Sequence, residues 1–524
     1  MKIRRTGIAI LVTTAAVSGI GIYRNREFVH DDTFISLRYC QNFLEGHGLT
    51  WNPGERVEGY TDFLHILLVA GLGATGLDLL LAARLINFSA FALMLLFMWR
   101  FMRRQAANED PEPSSLGANV PLMLAGTSLP LISWCWGGLE GPVFALFITV
   151  GVYLTVELLK RRSTSRAALT GTAFALAILC RPDGAIFAAV SLFSLFVPVV
   201  SRKRGAVRDA VIFSATCFAP VCAHLIWRVW YYGDWLPNTY YVKATGLPHF
   251  DLESSLGYVL SFCASPPFLL PLGLLAAIIA LRTPRYRAAV LCVLANMGAY
   301  LWFIMSIGGD HMPAHRLMLP LIPLACLLIH LALSVEVRAI SPKENGIVCV
   351  LAMILVGLQI AQPPLRNDPA AFLGTAVGRY VRENWPAGAL IALNTAGSTP
   401  YHAPDFVYLD MLGLNDRHIA RRAIDAPTTK WQQMPGHAKG DGAYVLSRKP
   451  DFIILGAATG CFADDPMFLS DVELRDSDEF GASYRPRRVP LDAGSEAASR
   501  QFGRPHSGRL WLIYYERIRN AQAP

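Results

Sequence analysis

Residues 30–63 read HDDTFISLRYCQNFLEGHGLTWNPGERVEGYTDF. The stretch opens with two adjacent carboxylates, Asp31 and Asp32, shortly after the apolar run Thr6–Tyr23. It is too polar and aromatic to cross a bilayer, which takes about 20 mostly apolar residues. A polar segment between hydrophobic runs is either a plain connection or a working surface at the membrane face. Topology decides which.

Slightly more than half the residues are apolar and 16% are charged, against about 25% charged in an average soluble protein. Apolar runs recur until about Gln362, which predicts a mainly α, polytopic membrane protein. The net charge of +8 sits in short basic clusters between these runs. That is the positive-inside pattern, and it argues against a nucleic-acid partner. The ten cysteines carry no metal-ligand spacing and no disulfide framework.

With Lys2, Arg4 and Arg5 inside, Thr6–Tyr23 is a retained signal anchor that delivers residues 24–62 to the outer face as a first loop. Phe63–Ala74 reads as a short interfacial or re-entrant helix and Leu77–Phe101 as the next span, followed by a polar loop over Gln105–Gly117. Nine further spans are expected at Ala118–Cys135, Pro142–Leu159, Ala167–Cys180, Ala185–Val200, Asp209–Tyr231, Pro266–Leu281, Ala288–Ile307, Leu317–Leu333 and Gly346–Gln362. Clusters at Lys160–Arg166, Arg202–Arg208, Arg282–Arg287 and Arg338–Lys343 then fall inside. The expectation is eleven spans over 1–362, with the N-terminus cytoplasmic. Residues 363–524 form an extracytoplasmic α/β domain, with strands at Leu390–Leu393, Phe406–Leu409, Phe452–Leu455 and Leu510–Tyr515. Helices are expected at Ala370–Asn384 and Arg417–Ile424.

On this topology the unusual polar motifs share the outer face. They are Asp31–Asp32, the WCWGGLE run ending in Glu140, the RPDG turn with Arg181, the Tyr-rich stretch 231–243 with Tyr240 and Lys243, and GGDHMPAHR with Asp310, His311 and Arg316. Each has a bland alternative as a helix cap or an interface anchor. Five on one face favour function. Acids, cations and aromatic rings at an outer membrane surface suit a lipid-linked sugar donor. Its phosphate leaving group needs cationic stabilisation, its sugar can stack on aromatic rings, and the acceptor hydroxyl needs a general base. One of the two aspartates can be that base while the other orients a partner or holds a cation; the residues leave a divalent cation open.

At these residues the chain resembles the GT-C membrane glycosyltransferases, in particular the terminal arabinofuranosyltransferase family. DDTFISLRY (31–39), GHGLTWNPGERVEGYTDFL (46–64), GGLEGPVF (137–144), RPDG (181–184), GDWLPNTYYVK (233–243), GGDHMPAHRLMLPLIPL (308–324) and YLDMLGLNDRHIA (408–420) carry the resemblance in order over nearly the whole chain. It departs from the family pattern at Asp62, often asparagine, and at Ala314, often aromatic. The resemblance implies inverting transfer of a sugar, arabinofuranose or a related pentose, from a polyprenyl-phosphate donor. The acceptor would be an envelope polysaccharide or glycolipid at the outer face of the cytoplasmic membrane. Asp31 or Asp32 is then the base, with Asp31 slightly ahead. Trp51, Glu58, Tyr60, Glu140, Asp310 and Tyr240 line the sugar and acceptor pocket. Arg181, Lys243, Arg316 and His311, chosen on charge and side, meet the donor phosphate. The competing expectation is a non-catalytic accessory protein of an envelope machine on the same scaffold; a transporter would carry its charges near mid-span.

Overall fold

The apolar runs form long helices because a backbone away from water must satisfy its own hydrogen bonds. The computed structural model describes residues 5–109, 116–200, 205–243, 252–336, 342–424, 429–434 and 436–518. The basic positions Lys2, Arg4, Arg202, Lys203, Arg204 and Arg338 lie outside them. Among the described residues, four helices are long and apolar enough to cross a membrane: Leu79–Asn108, Gly141–Lys160, Ala206–Tyr232 and Pro284–Ser306. Two bent pairs raise the number to six, and shorter apolar helices include Ile10–Arg24, Thr164–Cys180 and Leu321–Ser334. These are helices of a multi-pass membrane protein. Phe193, Ile226 and Trp302 are 71%, 71% and 70% exposed, an outward apolar surface suited to lipid rather than water.

Several boundaries differ from expectation. The single span expected at Ala118–Cys135 is two helices, Leu116–Gly126 and Leu129–Gly137, meeting at 53°. Pro130 at the start of the second lacks an amide donor and suits a new first turn. The polar loop expected from Gln105 begins later, because the helix from Leu79 runs on to Glu109. The Tyr-rich stretch holds a helix of its own, Asn238–Lys243; a further helix, Leu252–Ala264, bends by 76° into Leu269–Leu281 past Pro266 and Pro267. The 30–63 stretch is not simply a loop either. It contains a helix of 14 residues, Asp31–Leu44, capped by His30 and carrying both aspartates in its first turn.

The chain divides into two compact units: Met1–Glu27, Ala83–Ile226 and Phe250–Leu365 in one, Phe28–Ala82, Trp227–His249 and Arg366–Pro524 in the other. The second thus gathers the first loop and the Tyr-rich stretch with the C-terminal portion, where a single boundary at residue 362 is the expectation from composition. The reason lies in hydrogen bonding within that unit, described below.

Its sheet has five strands: β1 (Leu390–Leu393), β2 (Val407–Asp410), β3 (Phe452–Ile454), β4 (Tyr484–Asp492) and β5 (Arg509–Arg517), in the order β2-β1-β3-β5-β4. β1 runs parallel to β2 and β3, whereas β5 is antiparallel to β3 and β4. The parallel strands are short apolar runs, as two-sided burial requires. Ala392, Leu409, Ile453, Leu474 and Phe480 belong to their core. β4, YRPRRVPLD, is absent from the expected strands; its prolines Pro486 and Pro490 and its arginines mark an edge strand rather than a central one. At the other edge, the Asn52 side-chain amide pairs with both backbone groups of Tyr408 in β2: Nδ2 donates to Tyr408 O at 2.7 Å and Oδ1 accepts from Tyr408 N at 3.1 Å.

Candidate active site at the start of the Asp31–Leu44 helix

A helix turns about 100° per residue, so adjacent aspartates in a first turn face different surroundings. Asp31 points inward. Its carboxylate accepts from Gly397 N (3.1 Å), Ser398 N (2.8 Å) and Ser398 Oγ (2.7 Å). A Cβ on Gly397 would stand 2.1 Å from the Asp31 carbonyl oxygen, so only glycine allows this approach. Burial pushes the Asp31 carboxyl up to about 6, opposed by the Ser398 hydrogen bonds and reinforced by Asp368 and Asp32. The Asp32 side chain, by contrast, is 44% exposed. The Asp32 amide donates to His30 Nδ1 (3.4 Å), which leaves the proton of a neutral His30 on Nε2, facing Asp368 Oδ2 at 3.5 Å. Asp368 also accepts from Asp31 N (3.0 Å) and caps the Pro369–Asn384 helix through Ala370 N (3.1 Å). Asp31 is held by three donors, and Asp32 is the carboxylate that meets solvent.

Arg38, four helical residues beyond Phe34, runs through the interior of this unit. It donates to Trp51 O (2.7 Å), Pro400 O and Phe406 O (3.3 Å). Trp51, expected on the pocket wall, is 1% exposed and donates to Ala396 O at 3.2 Å. Tyr60 is likewise buried, its hydroxyl 3.0 Å from that of Tyr232. Glu58 is buried against Arg228, with Oε2 2.7 Å from Nε. Burial outweighs that ion pair and pushes the Glu58 carboxyl up to about 7. All three are buried, Trp51 and Tyr60 with hydrogen-bonded polar atoms and Glu58 against the Arg228 guanidinium. Tyr240 and Lys243, on the helix Asn238–Lys243, are exposed.

Three of the quoted motifs are laced together here. Asn238 N donates to Glu58 O (2.8 Å), and Asn238 Nδ2 donates to Gly413 O (2.8 Å) and Leu414 O (3.0 Å). The Tyr39 hydroxyl accepts from Gly59 N (2.8 Å), and a Cβ on Gly59 would meet Asn415 Oδ1 at 2.0 Å. Asp410 closes the turn after β2 by accepting from Leu412 N, Asn415 N and Asn415 Nδ2 at 2.8–3.0 Å. Residue type alone did not reveal Arg228, Asp368 or His30. The one available signal was the position of His30 immediately before a helical first turn.

The other expected site residues lie in the other unit. Arg181 is held between two carboxylates, with Nη1 2.6 Å from Glu140 Oε1 and Nε 3.0 Å from Asp183 Oδ1. Tyr300 donates to Asp183 Oδ2 at 2.8 Å. This guanidinium, expected at the donor phosphate, is engaged by protein carboxylates, and Glu140, expected in the pocket, is its partner. Arg316 Nε lies 3.1 Å from Asp310 Oδ2, and His311 Nδ1 3.7 Å from Asp310 Oδ1. Ala314 and His315 hold left-handed backbone, φ 53° and 46°, in the turn between them and the next helix. Among the described residues no three His, Cys, Asp or Glu side chains form a group that could hold a metal ion.

Residues 363–509 match a family described as a domain of unknown function, DUF8728. The chain is 27% identical over 254 residues to the terminal beta-(1->2)-arabinofuranosyltransferase of Mycobacterium tuberculosis, covering 46% of this chain and 38% of that one. It is 24% identical over 393 residues to the enzyme of the same name from Corynebacterium glutamicum, covering 66% and 54%. The chain resembles the terminal arabinofuranosyltransferases. It spans from about two fifths to about half of the length of these curated relatives. Its fold is shared with ArnT from Cupriavidus metallidurans bound to undecaprenyl phosphate: TM-score 0.50, 14% identity, 77% of this chain and 86% of that one. It is shared also with the apo oligosaccharyltransferase of Archaeoglobus fulgidus: TM-score 0.52, 13% identity, 76% and 64%. This is the GT-C fold.

Proposed function

We propose that this chain transfers a sugar, arabinofuranose or a related pentose, from a polyprenyl-phosphate donor to an envelope glycan at the outer face of the cytoplasmic membrane. Asp32 is the general base. It takes the proton of the acceptor hydroxyl as that oxygen attacks the anomeric carbon and the phosphate leaves from the opposite face, which inverts the configuration. Asp31 positions the helix, while Asp368 and His30 position Asp32. Lys243, exposed on the Asn238–Lys243 helix, would meet the donor phosphate. The observation that carries the reading is the division of the aspartate pair into an anchored carboxylate and an accessible one backed by a histidine. The resemblance to arabinofuranosyltransferases and the fold shared with a lipid-phosphate-bound transferase support the choice of donor.

The test is transfer of radiolabelled arabinofuranose from decaprenyl phosphate to a short arabinan by purified wild type, Asp31→Asn and Asp32→Asn. Removing a general base costs about 10²- to 10⁴-fold. Asp32→Asn is expected to lose activity on that scale with thermal stability intact, and Asp31→Asn to lose stability first. An active Asp32→Asn enzyme would refute the assignment of the base.

A further inference from the structure

Parts of two of the quoted motifs have no part in the chemistry above: Glu55–Val57 in the first loop, and Asn415–His418 in the motif after β2. Both line the same cavity. It is an open cleft of about 830 Å³ within the unit that contains the sheet, closed on its other sides by Arg421, Arg422, Asp441, Tyr444 and Arg448. That volume is near the upper end of small-molecule sites, room for a short chain of residues rather than one monosaccharide.

The lining is rich in arginine, yet most of these cations face carboxylates. Arg417 and Arg421 share Asp234 at 2.8 and 2.5 Å. Arg422 forms two 2.7 Å bonds to Glu473, and Arg448 lies 3.7 Å from Glu55. Arg56, exposed, lies with its guanidinium carbon 4.7 Å from the centre of the Tyr231 ring. A polyanion gains little from a field balanced in this way, and a phosphate would have to displace carboxylates from their partners. A polyhydroxylated neutral ligand suits it better. Each hydroxyl both donates and accepts, and guanidinium edges beside carboxylate oxygens offer both partners. Among the lining residues, the His418 and Tyr444 rings stack with centroids 4.0 Å apart and planes 18° apart. His418 Nε2 is fixed at 3.0 Å from Asp441 Oδ2, and Arg448 donates to the Tyr444 hydroxyl at 2.7 Å. A flat, pinned ring pair amid donors and acceptors is a surface on which a sugar ring's C–H face can lie.

We propose that this cleft binds a neutral oligosaccharide, the stretch of the acceptor glycan behind its reacting end. The proposal rests on the transfer reading for the ligand's role and on the cleft alone for its chemistry.

Binding is the test, with the full chain in detergent and ligand-observed NMR. The probes are a linear arabinofuranose hexasaccharide and an oligogalacturonate of equal length. Wild type and Asp32→Asn are expected to bind the neutral chain equally and in preference to the acidic one. Tyr444→Ala and the surface change Arg56→Ala should each weaken binding, the first by about tenfold, and should raise KM for acceptor with kcat unchanged. No binding of the neutral chain, preference for the acidic one, or binding unaffected by both variants would overturn the proposal. Binding that depends on Tyr444 in a chain that transfers no sugar would uphold the cleft and refute the transfer reading.

Discussion

The start of the Asp31–Leu44 helix and the turn around Arg181 use the same residue types and reach opposite ends. At the first, two neighbouring aspartates are divided: three donors consume Asp31, while Asp32 stays at the surface beside a histidine. At the second, one guanidinium and a tyrosine draw Glu140 and Asp183 into a closed knot. A group that does chemistry must be reachable by substrate; one that holds the fold together can be buried among its partners. Acids and arginines at span ends are therefore only half an argument. Exposure to solvent supplies the rest.

The knot can be broken outright. Arg181→Ala leaves two buried carboxylates without their cation and should cost about 3–5 kcal/mol, read as loss of thermal stability in detergent. The triple change Arg181→Met, Glu140→Gln, Asp183→Asn should recover most of it. An Arg181→Ala protein with unchanged stability and weakened donor binding would return Arg181 to the phosphate. On the other side of the comparison, Gly397→Ala thrusts a methyl group against Asp31. It is expected to cost about 1–3 kcal/mol, as overpacking does, and to lower activity by displacing the helix start. Full activity there would mean that Asp31 is not an anchor.

A gentler change sharpens the role of Asp368. Asp368→Asn keeps its size but weakens the hold on His30, so kcat should fall about tenfold and the acidic limb of the pH–rate profile should move. A merely structural role would leave that limb in place. The smallest effect concerns Glu58. Its folded carboxyl is raised to about 7 from 4.5, so the stability it contributes is present at low pH and is lost as pH rises through about 7. The thermal midpoint of wild type should fall between pH 5.5 and 8 by on the order of a few degrees more than that of Glu58→Gln. Parallel curves would show that Glu58 is ionised throughout.

Much of this was legible in the residues. Apolar runs mark the helices of the membrane unit, and Leu390–Leu393 was readable as a strand because two-sided burial leaves a continuous apolar run. The Asp31–Leu44 helix was not, because the face it buries includes Arg38, Ser36 and Asn42 as well as Phe34 and Leu37, which blurs the helical period. β4 was hidden by its prolines. The order of Asp31 and Asp32 could have followed from helix geometry once a helix was recognised. The partners of Glu58 and Arg181 could not: Arg228 lies 170 positions from Glu58 and Glu140 41 from Arg181, and only folding shows which charge meets which.

The five-stranded sheet has a further consequence. An open edge is a template on which any extended segment can crystallise into a growing ribbon. Here Asn52 occupies backbone groups along β2, and Pro486 and Pro490 strip two amide donors from β4. The sheet offers little purchase at either end for strand-by-strand polymerisation. An Asn52→Ala protein, with β2 bared, is the form in which overproduction should first yield fibrils.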